Sequence, residues 1–90
     1  MESRTEDRYS VNESVVVSIL DKPETHRPAT VIDVSESGFR LTSGLNLTPG
    51  SRILTTLNSV AIFGVVRNCQ KSGDNSFLAG VQITEVVPAV

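Results

Sequence analysis

Cysteine and histidine each occur once in this 90-residue sequence, and tryptophan does not occur at all. Cys69 has no partner for an internal disulfide, and with His26 as the lone imidazole no Cys/His set for structural zinc can be assembled. Cys69 reads as a small buried hydrophobe in a strand. Neither a metal nor a cofactor is expected. Aromatic residues make up 4% of the chain and the net charge is −2, whereas single-stranded nucleic acid is gripped by aromatic platforms in basic grooves. DNA and RNA are therefore not expected partners. Long apolar runs are missing too: the stretch from Val15 to Leu20 falls well short of the roughly 18 to 20 residues that span a bilayer. The opening residues Met1 to Arg8 are polar and mixed in charge, unlike the apolar core of a secretory signal. A cytoplasmic protein without membrane insertion is expected. No titratable pair is placed for acid–base chemistry and no base accompanies a nucleophile, so no catalytic residue is assigned and no enzyme is expected.

What the chain does contain is β-branched residues. A hydrophobic content of 39% with 20% charged residues is globular, and 90 residues suit one domain over residues 1 to 90. Val15-Val16-Val17, Ile19, Thr30-Val31-Ile32, Ile53, Thr55-Thr56, Val60, Ile62, Val65-Val66, Val81 and Ile83 favour strands. Turn residues separate these runs at Asp21-Lys22-Pro23, Ser37-Gly38, Thr48-Pro49-Gly50, Asn58-Ser59 and Ser72-Gly73-Asp74-Asn75. Six strands follow, over residues 13 to 20, 28 to 35, 38 to 43, 51 to 58, 60 to 70 and 76 to 85, in an all-β barrel or sandwich. Alternation points Val15, Val17 and Ile19 inward on the first strand and Phe39 and Leu41 inward on the third. Phe63 and Phe77 are read as core, and Arg27 and Arg67 as surface charges.

Six of the eight basic residues are arginines, whose planar fork matches phosphate or a guanine edge better than a lysine point charge does. Two of them, Arg4 and Arg8, form an RxxxR pattern; after 24 intervening residues comes Asp33-Val34-Ser35-Glu36-Ser37-Gly38, a DxSxxG pattern. In this order and at this spacing the two resemble the signature of the PilZ domain family, whose members bind the bacterial second messenger cyclic di-GMP. The resemblance extends along the chain: Val31 and Val34 beside Asp33, Phe39 and Leu41 after Gly38, Leu47 to Leu54, Gly64-Val65-Val66-Arg67, and Ala79-Gly80-Val81-Gln82-Ile83. Three features depart from the family pattern. Ile83 stands where phenylalanine is frequent, Glu6 and Asp7 lie within RxxxR, and the C-terminal helix of many members has little or no room.

The resemblance implies a six-stranded antiparallel PilZ-type β-barrel over residues 10 to 85, a flexible clamping segment over residues 1 to 9 and a tail over 86 to 90. It implies that Arg4 and Arg8 contact guanine and phosphate, with Asp33, Ser35 and Gly38 forming the opposite wall. The chemistry is reasonable residue by residue. A carboxylate accepts from the guanine N1–H and N2–H₂ donors, Ser35 adds a short donor or acceptor, and Gly38 permits positive φ and close approach of backbone to ligand. In an extended strand positions 33 and 35 share a face. Arg40 either lines that face or is an outward strand charge. The expected function is a receptor that converts cyclic di-GMP binding into a shape change for an unidentified downstream protein. The alternative is a ligand-independent adaptor with the same barrel, in which Glu6 and Asp7 repel phosphate.

Overall fold

The structure, a computed structural model, describes residues 7–88. The β-branched runs form six strands: β1 (Tyr9–Ile19), β2 (Lys22–Val34), β3 (Gly38–Ser43), β4 (Arg52–Leu57), β5 (Val60–Gly73) and β6 (Ser76–Pro88). Every pairing is antiparallel, in the order β1-β2-β3-β6-β5-β4, and β4 pairs back with β1 through Val17↔Thr55, Ser18↔Leu54 and Ile19↔Ile53. This β1–β4 seam closes the sheet into a barrel. No helix occurs among the described residues.

Alternating side chains fill the barrel, as the period of two requires. Val15 and Val17 of β1 meet Val31 of β2, Phe39 and Leu41 of β3, Ile53 of β4, Val66 of β5 and Ala79 and Val81 of β6. Leu47, from the β3–β4 connection, completes this core at 2% exposure. Thr55 is also buried, and its hydroxyl donates to the Val16 carbonyl at 3.2 Å, so the polar atom is satisfied across the closing β1–β4 seam.

Four strands, β1, β2, β5 and β6, are longer than local sequence implies, and β2 and β6 show why. β2 starts at Lys22 because the hairpin with β1 continues through Ser18↔His26 and Ile19↔Lys22. β6 runs on to Pro88 because Val60, Ala61 and Ile62 pair with Pro88, Val87 and Val86. In both places a partner strand supplies the ladder that propensity does not announce. Phe63 and Phe77 are only half-buried and stand outside the core, contrary to the expectation. Phe63 lies between the buried Ile62 and Gly64, so alternation turns it outward.

The β4–β5 hairpin turns on Asn58 and Ser59, with φ of 52° and 67°, between the paired Leu57 and Val60. Two positive φ values define the turn that matches strand twist, and Asn-Gly is its preferred sequence. Serine at the second position carries the Cβ strain of left-handed backbone. Ser59→Gly is therefore expected to stabilise the barrel by about 0.5–1 kcal/mol, after the extra chain entropy of glycine is subtracted. Thermal unfolding checks it, with an expected rise of roughly 2–8 °C.

Candidate functional site

Two β-bulges decide what faces outward at one side of the barrel. In β2, Val31 pairs with Leu41 and Asp33 with Arg40, so Ile32 is an extra residue. Without it, period-two alternation would carry Asp33 into the interior behind Val31. The extra residue instead turns Asp33 to the side of exposed Arg40 and returns Val34 and Phe39 toward the core. In β5, Val66 pairs with Val81 and Asn68 with Gly80, making Arg67 the extra residue. Arg67 and Asn68 are consequently both exposed, side by side, where strict alternation would show only one.

Asp33 is 6% exposed and lies between Ser10 of β1 and Arg40 of β3. Arg40 donates from Nε to Asp33 Oδ2 at 2.7 Å, and its Nη2 lies 2.5 Å from the same oxygen. The hydrogen bond to Asp33, and then its negative charge, raise the pKa of the Arg40 guanidinium. Arg8 Nε approaches the other oxygen, Oδ1, at 3.7 Å, too far for a hydrogen bond. Oδ1 is buried and has no hydrogen-bond partner among the described residues. Such an acceptor costs about 1–3 kcal/mol or more when left unmet, so a donor at this point would be bound strongly.

The turn after Asp33 is held down on β6. Ser35 donates from its backbone N–H at 2.7 Å and from its hydroxyl at 3.2 Å, both to the Gly38 carbonyl. The Ile83 N–H donates to the Ser37 carbonyl at 2.8 Å, fastening the turn to β6. Gly38 does not have positive φ. A Cβ there would lie 2.4 Å from the Val81 carbonyl oxygen, so glycine is required by the close approach of β3 to β6. The expected reasons were positive φ, which Gly38 does not have, and close approach of a ligand. Likewise the Ser35 hydroxyl is engaged in its own turn.

Between this turn and the β5 bulge lies a cleft of about 290 Å³, lined by Arg8, Ser35, Ser37, Gly38, Phe39, Arg67, Asn68, Gly80, Val81 and Gln82. It is close to the lower end of small-molecule sites, about 300–1,000 Å³. Asn68 lies across Gly80, where a Cβ would come within 3.0 Å of its Oδ1. The Arg67 side chain makes no hydrogen bond or ion pair among the described residues, which leaves its donors available to the cleft. Of the five expected site residues, Arg8, Ser35 and Gly38 line the cleft and Asp33 stands behind Arg8. Arg4, like Glu6, lies outside the described residues. Asp7 is exposed. Sequence reading missed Arg67, Asn68 and Gln82. The one local hint was an Arg-Asn pair interrupting the apolar rhythm after Val65-Val66.

Arg8 and Arg67 offer forked donors in the cleft, and Asp33 offers an acceptor beside Arg8. This combination suits a ligand carrying both phosphate and a purine edge that has donors. Compared with known proteins, the family model described as the PilZ domain matches residues 2–89. Among solved structures the chain is similar to the Bacillus subtilis inhibitor of motility (MotI/DgrA), with a TM-score of 0.71 and 16% identity. The match covers 97% of this chain and 45% of that one, so the chain spans less than half of that protein's length. At such identity the likeness concerns the fold. No curated protein matches the sequence significantly.

Proposed function

The chain belongs to the PilZ domain family, and from that premise we propose that it is a bacterial, cytoplasmic receptor for cyclic di-GMP and not an enzyme. The observation that carries this reading is the buried Oδ1 of Asp33, without a hydrogen-bond partner among the described residues, beside Arg8, which lines a cleft together with Arg67. A guanine presents N1–H and N2–H₂ donors for that oxygen and O6/N7 acceptors for a guanidinium, and the phosphates take the remaining arginine donors. Adenine has no N1–H donor and meets the carboxylate with an acceptor.

Binding then replaces the loose Arg8–Asp33 contact with short charge-assisted bonds to the ligand. Arg4 joins from the same N-terminal segment, the part that precedes β1, which closes over the dinucleotide. Closure presents a new surface to a downstream protein, and the ligand shifts the population toward the closed form by its preference for it. The similar Bacillus subtilis protein is named as an inhibitor of motility. That name supports an adaptor role for this domain type and leaves the partner of this chain to experiment.

Calorimetric titration of the full chain with cyclic di-GMP tests the reading. Saturable binding is expected, weakened about tenfold or more by Arg8→Ala, since hydrogen bonds to charged groups contribute about 1.5–3 kcal/mol. Absence of binding to the wild-type chain would favour the ligand-independent adaptor.

A further inference from the structure

Arg40 belongs to neither part of the two-part sequence pattern and does not line the cleft. It nonetheless makes the shortest contacts to the central carboxylate. Asp33 and Arg40 are direct cross-strand partners, so the backbone sets them opposite each other. The Ile32 bulge places both on the same side of the sheet.

The contacts are lopsided. Arg40 Nε and Nη2 both address Oδ2, at 2.7 and 2.5 Å, and neither addresses Oδ1. An ionised carboxylate oxygen has about two lone-pair sites. Two donors therefore use up Oδ2 and pin the carboxylate plane. Oδ1 keeps both sites, is buried, and faces the side from which Arg8 approaches.

We propose that Arg40 is a positioning residue for base selection: by occupying Oδ2 of Asp33 it leaves Oδ1 as the acceptor for the guanine N1–H and 2-amino donors. This rests on the cyclic di-GMP reading above and adds a determinant of selectivity to it. A carboxylate released from Arg40 rotates and also becomes hydrated, and it then discriminates poorly between bases with different donor counts. Arg40 itself touches no part of the ligand.

The test compares cyclic di-GMP with its hypoxanthine counterpart, which keeps N1–H and lacks the 2-amino group. Calorimetry is run on the full wild-type chain, Arg40→Gln and Arg40→Lys. The wild-type chain is expected to prefer the guanine ligand by about tenfold, one good donor–acceptor contact. Arg40→Gln should weaken the guanine ligand by about as much and the hypoxanthine ligand much less, so that the preference collapses. Arg40→Lys should restore part of it, because one ammonium can hold Oδ2 without the fork.

An equal loss for both ligands would mean that Arg40 binds phosphate directly, and would overturn the proposal. So would an unchanged preference in Arg40→Gln. Should glutamine disturb the barrel, Arg40→Lys decides: a folded lysine variant with wild-type affinity and an untouched preference also overturns it. A wild-type chain that binds neither ligand overturns the receptor reading itself, a result visible before any variant is made.

Discussion

Asp33→Ala is expected to reduce affinity for cyclic di-GMP about 100-fold or more while the barrel melts within a few degrees of wild type. The loss follows from removing the acceptor for two guanine donors: two bonds to a charged group at about 1.5 kcal/mol each give about 3 kcal/mol, and 1.4 kcal/mol is tenfold. The small stability effect has a separate cause. The side chains of Arg8 and Arg40 that face Asp33 are 46% and 44% exposed, so water can solvate their charges once the carboxylate is gone. The substitution also removes a buried oxygen that lacks a hydrogen bond. Calorimetry and a thermal melt on the same preparation check both halves. Retained affinity would reduce Asp33 to an ion-pair partner within the barrel and would remove the main support for the receptor reading.

Gly38→Ala has the opposite profile, a large loss of stability whether or not ligand is present. Its new Cβ would stand 2.4 Å from the carbonyl oxygen of Val81 and 3.4 Å from that residue's carbonyl carbon. Both are backbone atoms in a continuous strand, so neither can rotate away as a side-chain tip would. Relief requires prising β3 from β6 at Gly38↔Gln82, next to the bond from Ile83 to Ser37. A cost of about 2–4 kcal/mol is expected, and a fall in melting temperature of roughly 10–25 °C. Gly44→Ala is the control: its nearest contact is 3.6 Å away, and a change within about 0.5 kcal/mol is expected. Binding lost in a Gly38 variant therefore reports a displaced turn, and does not by itself place Gly38 against the ligand.

These outcomes separate two meanings of the DxSxxG pattern. Asp33 has an acceptor unmet among the described residues and stands behind Arg8, which lines the cleft. Ser35 and Gly38 build the turn that stands beside it, through the paired bonds to the Gly38 carbonyl and the tight contact with β6. A short pattern can thus carry one proposed recognition residue and two that build the turn beside it. Letters in a sequence do not distinguish them, because the partner that makes glycine necessary is the backbone of Val81, 43 positions away.

Strand content, turn positions and the inward face of β1 and β3 were legible in the amino-acid sequence, since β-branched runs, turn residues and alternation act over a few neighbouring residues. The family was legible for a related reason: RxxxR and DxSxxG are local patterns. The composition of the cleft was not. Which side Asp33 faces depends on the extra residue Ile32, and Arg67 and Asn68 reach the cleft through the extra residue in β5. The pairing of Asp33 with Arg40 is likewise a matter of register. A single inserted residue reverses the face of everything after it, and where the insertion falls is settled by hydrogen bonding between strands distant in the chain. Chemistry of the side chains was written in the sequence; the tertiary structure decided which of them meet.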